Sequence, residues 1–169
     1  MIERLLGIDV SALCDADKSL PVADPDIRAM VPGVRFAGPA YTVVAADDHL
    51  PVLTALGEAS PGDVLVIATN GGSVAVFGEL FATEAKRRGL AALVVDGRCR
   101  DLRGLREIGL PVFARGTIPM SGTLESRAAP VRVEAALERA EQIARAEREI
   151  LDAMGRGEAL HDVVGLLKP

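Results

Sequence analysis

Tryptophan is absent from this chain of 169 residues, which has only one tyrosine, four phenylalanines, two cysteines and three lysines. A protein that binds single-stranded nucleic acid by stacking its bases would lack the aromatic side chains it needs. Positive charge is also short: 19 basic residues stand against 24 acidic ones, and the net charge of −5 has the wrong sign for a phosphate-backbone binder. We therefore expect no nucleic-acid partner.

Long hydrophobic runs are missing as well. No apolar run reaches the roughly 18 residues of a transmembrane helix without a charge, glycine or proline, so we expect no membrane partner. Residues 1–15 lack the basic start and small-residue cleavage site of a secretory signal. Cys14 and Cys99 have no metal-ligand spacing and are too few for a disulfide scaffold. These absences predict a cytoplasmic protein.

The residues that are present predict one α/β domain over 1–169, since 49% are hydrophobic and 25% charged. Continuous apolar runs at Val64–Ala68 and Leu90–Asp96 are typical of strands buried on both faces. The segment ELFATEAKRR between them has the spacing of an amphipathic helix, which Gly89 is suited to end. Strand, helix and strand at this spacing form a βαβ crossover with parallel strands. The pattern repeats more weakly in DLRGLREIG and LPVFARG.

Less regular segments flank this centre. Gly7 weakens a short helix predicted from Ile2 to Leu13, and the Asp- and Pro-rich stretch after it is typical of turns. Before the central segments, we predict a strand over Phe36–Ala46, with an edge or bulge at Pro39, and a helix at LPVLTALGEA. After them, we predict an irregular segment over 117–132. A C-terminal helix and tail follow over 132–169, with the long helix at Val133–Met154.

The first segment that suggests chemistry is NGGSVAVFGEL, Asn70 to Leu80. Its glycines free backbone amides at a helix N-terminus, where a partial positive charge favours a carboxylate or phosphate. Structural turns explain most glycine-rich loops of this kind. A Walker-type nucleotide site is excluded because its lysine is missing.

The second segment is DGRCRD, Asp96 to Asp101, which comes just past a buried strand, where open α/β sheets bind ligands. Arg100 can grip a carboxylate or keto oxygen with two N–H donors, and Asp101 can hold a divalent cation directly or through water. The structural alternative is a salt-bridged turn that begins the next helix.

Taken together, these segments resemble a known family. The run GELFATEAKRRGLAALVVDGRCRD, with GDVLVIA before it and GLPVFARG after it, resembles the RraA-like family, and so do FAGPAYTV and the tail GEALHDVVGL. That family includes 4-hydroxy-4-methyl-2-oxoglutarate aldolases and oxaloacetate decarboxylases. The resemblance implies an RraA-like swivelling β/β/α domain with a parallel βαβ core and a C-terminal helix, and a homotrimer or hexamer.

The resemblance also implies a class II pyruvate aldolase (a lyase) acting on a small 2-oxo acid with Mg²⁺ or Mn²⁺. Arg100 would contact the pyruvyl oxygens and stabilise the enolate together with the metal. Asp101 would hold the metal largely through water, and Glu79 would support that water shell. The substrate carboxylate would bind backbone amides of the segment Val76, Phe77, Gly78, Glu79 and Leu80.

Lysine content favours the metal route independently. A Schiff-base aldolase needs a buried lysine nucleophile, whereas Lys18 lies in a polar turn, Lys86 at the charged end of a helix and Lys168 next to the C-terminus. The general base is not obvious from the residues, and a metal-bound water is expected to serve as the base. His49 is a candidate base too, but beside two aspartates it is expected to be a solvated loop residue, as is His161 in the tail.

Two other functions compete with the aldolase. Members of the same family inhibit an RNA-degrading endonuclease by protein contact, but those regulators tend to lose the metal-binding acid that this chain keeps. The other function is that of a menaquinone-pathway methyltransferase. It is set aside because the sequence has no glycine-rich cofactor-binding signature followed by an acidic residue in the right context. The sequence also departs from the family pattern, because roughly 40 residues, about four short strands, are missing before the final helix. A neighbouring subunit is expected to cover the faces left open.

Overall fold

The computed structural model describes residues 1–122 and 145–160. Five strands are described: β1 (Arg28–Ala29), β2 (Ala40–Val44), β3 (Val64–Ala68), β4 (Ala92–Cys99) and β5 (Val112–Thr117). Five helices have described bounds: α1 (Ile2–Leu6), α2 (Val10–Ala16), α3 (Leu50–Glu58), α4 (Glu79–Arg87) and α5 (Leu102–Ile108). Residues 145–155 belong to a C-terminal helix segment. The predicted mixed α/β class is confirmed.

The strands form one sheet in the order β1-β5-β4-β3-β2. Strands β2 to β5 are parallel neighbours in chain order, and only β1 is antiparallel to its neighbour β5. Helices α3, α4 and α5 make the three crossovers between parallel strands, and right-handed crossovers that advance in one direction place their helices on one face. The predicted parallel βαβ core is therefore confirmed.

The core lies between this helical layer and the sheet. Leu65 and Ile67 of β3 pair in register with Leu93 and Val95 of β4, and all four side chains are fully buried. Burying side chains of this size stabilises the fold by about 1.5–3 kcal/mol each. The opposite face is less covered, because Val66, Ala68 and Val94 of the central strands are only half-buried there. Val44 at the β2 edge is 57% exposed.

Several boundaries differ from prediction for local reasons. The first helix is interrupted, because Gly7 ends α1 and α2 begins after Asp9. Strand β2 begins only after Pro39, whose nitrogen cannot donate to the ladder. Strand β4 runs on to Cys99, so most of DGRCRD lies within it, and β1 was not predicted.

The long C-terminal helix was predicted over Val133–Met154; residues 145–154 are helical as expected, and 133–144 lie outside the described residues. Most of the predicted irregular segment and the tail from 161 onward lie outside them too. Across the described parts of the chain, no helix has the length and apolar character needed to cross a bilayer.

Candidate active site

Strand β4 carries the DGRCRD segment to the edge of the sheet through a register shift. Its pairing with β5 shifts between Val95 and Arg98, an irregularity that re-aims the end of the strand. Asp101 then adopts a left-handed backbone conformation with φ 61°, and α5 begins at the next residue. Aspartate tolerates this conformation better than most residues because its short polar side chain can interact locally.

The glycine-rich segment after β3 meets this strand end. The amide of Arg100 donates to the carbonyl of Phe77 at 3.1 Å, and the amide of Glu79 donates to Oδ2 of Asp101 at 3.2 Å. Gly78 makes the approach possible, since a Cβ atom there would collide with the Asp101 carboxylate and contact the Arg100 side chain. The two segments singled out from the sequence thus form one site.

A cavity of about 270 Å³ opens at this junction. Its walls come from segments that follow the carboxyl ends of all four parallel strands, which is where open α/β sheets bind ligands. The lining residues are His49, Leu53, Phe77, Gly78, Glu79, Leu80, Phe81, Arg100, Asp101, Ser121, Gly122 and Leu160. Six of the seven predicted site residues are in this wall; Val76, the seventh, is fully buried and does not line the cavity.

Arg100 lies between two carboxylates. Its Nε is 3.2 Å from Oδ2 of Asp101, and its terminal nitrogen donates to Oε1 of Glu147 at 3.0 Å. The Arg100 side chain is 28% exposed, so the guanidinium is partly shielded while its surroundings stay open enough for a ligand. Glu147, from the C-terminal helix segment, was not predicted from the sequence; it is 47 residues away in the chain.

Negative charge accumulates around Glu79. Burial raises the pKa of its carboxyl, and the negative charge of Asp101 raises it further, with smaller effects of the same sign from Glu107 and Glu147. Among the described residues, the positive charge of Arg103 acts in the opposite direction and lowers this pKa. A divalent cation would relieve this repulsion directly.

The carboxylates fit a hydrated divalent metal rather than a metal caged by protein ligands. Within residues 1–122 and 145–160, no three His, Cys, Asp or Glu side chains are grouped closely enough to hold an ion. Mg²⁺ usually keeps several waters and binds proteins through one or two carboxylates. Asp101 and Glu79, adjacent on the cavity wall, match that donor set.

His49, which the sequence analysis set aside as an expected solvated loop residue, lies in the cavity wall. It is half-buried and lines the cavity, with Nδ1 3.1 Å from the carbonyl oxygen of Val76 and Nε2 2.8 Å from Oγ of Ser121. The expectation of a solvated loop side chain was therefore wrong. His161 lies outside the described residues.

Other candidate nucleophiles lie elsewhere. Lys18 is in an exposed ion pair with Asp15, and Lys86 donates to the carbonyl of Ile108 at 2.5 Å. Cys99 is fully buried, and that burial raises the pKa of its thiol to about 11. Its thiolate is therefore scarce at neutral pH, which makes this cysteine a poor nucleophile.

These features define a class: a mixed α/β domain whose parallel strands end at a cavity walled by arginine and carboxylates. The chain belongs to the RraA-like family, because the Aldolase/RraA family profile matches residues 10–148. A protein of Halalkalibacterium halodurans named as a candidate 4-hydroxy-4-methyl-2-oxoglutarate aldolase is 40% identical over 118 residues, which is 69% of this chain and 56% of that protein. The chain thus spans about half the length of that relative.

Solved structures share the fold. The RNA-processing inhibitor RraA of Thermus thermophilis superposes with a TM-score of 0.65 at 26% identity, over 75% of this chain and 79% of that one. A Geobacillus kaustophilus structure described as an S-adenosylmethionine:2-dimethylmenaquinone methyltransferase has the same TM-score at 31% identity, over 72% of this chain and 77% of that one.

Proposed function

We propose that this chain is a divalent-metal-dependent pyruvate aldolase that cleaves 4-hydroxy-4-methyl-2-oxoglutarate-type substrates and also decarboxylates oxaloacetate. The observation that carries the proposal is the joint presence of Arg100, Asp101 and Glu79 in one cavity wall. The name of the H. halodurans relative supports the same substrate class. Because the chain spans only part of that relative, the activity is proposed here for the chain itself.

Arg100 would bind the 2-oxo acid. Its planar guanidinium can donate two parallel hydrogen bonds to a carboxylate or to adjacent carboxylate and keto oxygens. The Glu147 carboxylate oxygen 3.0 Å from this guanidinium supports the role, because a substrate carboxylate can make the same contact. As the carbon–carbon bond breaks, the fixed positive charge of Arg100 would stabilise the negative charge that develops on the keto oxygen.

Asp101 and Glu79 would hold the cation, Asp101 directly or through water and Glu79 by orienting its water ligands. When bound, Mg²⁺ or Mn²⁺ supplies positive charge that polarises the 2-oxo group. Apolar side chains complete the cavity, because Leu53, Phe77 and Phe81 share its lining with these charges and would exclude water from the reacting atoms.

Pyruvate release, coupled to NADH oxidation by lactate dehydrogenase, tests this function. We expect turnover of oxaloacetate and of 4-hydroxy-4-methyl-2-oxoglutarate with Mg²⁺ or Mn²⁺, and none with a chelator. Arg100→Ala and Asp101→Ala should abolish it. Arg106→Ala is the matched control, since Arg106 is exposed on α5 and outside the cavity lining. Absence of metal-dependent turnover, or turnover unaffected by both site variants, would refute the proposal.

The regulator function is the second candidate, because the T. thermophilis RNA-processing inhibitor has the same fold. It predicts that the purified chain binds an RNA-degrading endonuclease directly and slows RNA cleavage. Arg100→Ala should leave such binding unchanged, since the regulator would use its surface rather than the cavity. Binding without pyruvate release would favour the regulator over the aldolase.

Assembly into a trimer or hexamer in the cytoplasm is part of the proposal. The half-buried sheet face and the exposed apolar residues of the N-terminal segment, among them Val10 and Val22 at 70% and 74%, supply surface for it. Light scattering coupled to size exclusion measures the assembly, and a monomer at micromolar concentration would contradict it.

A further inference from the structure

His49 is built into the cavity wall by contacts from three segments. It stands at the N-cap position of α3, and its ring lies 5.6 Å from the Phe81 ring, measured between centroids. Both ring nitrogens have hydrogen-bond partners, Val76 on one side and Ser121 on the other. An imidazole fixed at two nitrogens and packed against an aromatic ring has one orientation.

The partners also determine the tautomer. The Val76 carbonyl can only accept, so Nδ1 of His49 carries the proton. In the neutral ring Nε2 then holds the lone pair and accepts the hydroxyl proton of Ser121 at 2.8 Å. A hydroxyl donating to imidazole Nε2, with the other ring nitrogen fixed by an acceptor, is the arrangement that general-base catalysis uses.

Ser121 is held in place by the backbone on either side of it. The Ala75 amide donates to the Met120 carbonyl at 2.8 Å, and the Gly122 amide donates to the Ala75 carbonyl at 3.2 Å. This pair of bonds flanks Ser121 and ties it to the glycine-rich segment next to Val76. The same short segment, Ala75 and Val76, therefore holds both the backbone around Ser121 and the ring of His49 in place.

Aldol cleavage needs a proton acceptor that the proposed function leaves unassigned. Asp101 and Glu79 are committed to the cation and Arg100 to the 2-oxo acid, while Cys99 is buried. We propose that His49 is the general base for the 4-hydroxyl group, with Ser121 relaying the proton. This inference rests on the proposed aldolase function and adds a residue to it.

The proton balance closes within the site. The 4-hydroxyl passes its proton to Oγ of Ser121 as Oγ passes its own to Nε2 of His49. The C3–C4 bond breaks, its electron pair moves into the pyruvate fragment, and C4 becomes a carbonyl. The imidazolium then returns one proton through Ser121 to C3, which gives pyruvate and restores the neutral ring. No oxidant or further reactant is consumed.

Comparing two substrates distinguishes a base role of His49 from a general effect on the site. Retro-aldol cleavage requires deprotonation of a hydroxyl, whereas oxaloacetate has no 4-hydroxyl and loses carbon dioxide without that step. We expect His49→Gln to lower kcat for 4-hydroxy-4-methyl-2-oxoglutarate by about 100-fold or more, in the range of general-base contributions. Oxaloacetate decarboxylation should change by less than about threefold. Ser121→Ala should also lower aldol cleavage and leave oxaloacetate decarboxylation largely unchanged, because it removes the relay hydroxyl but not the groups that bind the 2-oxo acid.

Asp48→Ala is the structural control. Asp48 accepts the amide proton of Leu50 at 2.9 Å at the start of α3 and does not line the cavity. If loosening of this helix end caused the loss, Asp48→Ala would share it; we expect both activities to survive. Equal loss of both activities in His49→Gln, or unchanged aldol cleavage, would overturn the inference. A wild-type protein inactive on both substrates would instead overturn the proposed function.

Discussion

Replacing Gly104 by alanine should separate the stability of this protein from the integrity of its site. Gly104 is a buried residue of α5, and a Cβ atom there would overlap the Glu79 carboxyl group, the nearest atoms being Cδ, Oε2 and Cγ of that side chain. The colliding atoms are the far end of a flexible side chain, so Glu79 can rotate away. Because Gly104 has no side chain, the Glu79 carboxylate can occupy the space that a methyl group at position 104 would fill.

Two opposing effects determine how much Gly104→Ala changes the free energy of unfolding. Alanine is preferred over glycine in a helix by about 0.8–1.0 kcal/mol. Forcing Glu79 out of its rotamer costs about 0.5–1.5 kcal/mol. The free energy of unfolding of Gly104→Ala should therefore stay within about 1 kcal/mol of the wild type, and at this chain length the melting temperature should move by no more than about 4 °C.

Function should respond much more strongly. Glu79 would leave the water shell of the cation, and loss of a partner that orients metal ligands typically costs about 10- to 100-fold in affinity or activity. Urea unfolding measures stability, and Mn²⁺ titration with the coupled pyruvate assay measures the site. In the double variant Gly104→Ala/Glu79→Gln, the alanine should cause little further loss of activity, because its effect acts through Glu79.

Gly57→Ala is the matched control, since a Cβ atom added at this α3 glycine would have no neighbouring atom within 4 Å. It should stabilise the protein slightly and leave activity intact. Full activity and metal affinity in Gly104→Ala would refute the reasoning. Destabilisation by more than about 2 kcal/mol would refute it too, because backbone rather than the Glu79 side chain would then have to move.

Two further predictions concern titratable groups. The folded state raises the pKa of Glu79, so it binds that proton more tightly than the unfolded chain, and stability should fall as pH rises from the unfolded towards the folded pKa of this group. The Glu79→Gln variant should lose this part of the pH dependence. At neutral pH without metal, its melting temperature should be higher than that of the wild type. An equal or lower melting temperature would contradict this prediction. Cys99 should resist Ellman's reagent in the native protein, because burial raises the pKa of its thiol to about 11, whereas half-buried Cys14 should react. Two fast-reacting thiols without denaturant would contradict that prediction.

The parallel core could be predicted because its signals are local. Strands such as Val64–Ala68 and Ala92–Cys99 contain continuous apolar runs, which predicted strands buried on both faces, although only the face towards the helices is fully buried. The amphipathic segment between them has room for one crossover helix. Their parallel direction then places Glu79, Arg100 and Asp101 at one edge of the sheet. The meeting of these residues followed from topology alone.

The short strand β1 and the end of β4 could not be predicted in the same way. Strand β1 has two residues, and it exists because Arg28 and Ala29 pair with Ala114 and Phe113 on β5. No local pattern distinguishes two such residues within a turn-rich segment. Strand β4 continues past its apolar run for the same reason, because Arg98 and Cys99 pair with β5.

His49 shows why the residues that line a cavity can be predicted in part while the contacts that suggest a role for each of them cannot. Taken alone beside two aspartates, it resembles many solvated loop histidines. Its two hydrogen bonds join residues 27 and 72 positions away, and the contact between Arg100 and Glu147 spans 47. Residue type identifies groups able to bind an anion or a cation, but which nitrogen of a histidine is free depends on partners that only the folded backbone brings within about 3 Å. The proposed base therefore had to come from the structure, whereas the residues proposed to bind an anion and a cation were already candidates in the sequence.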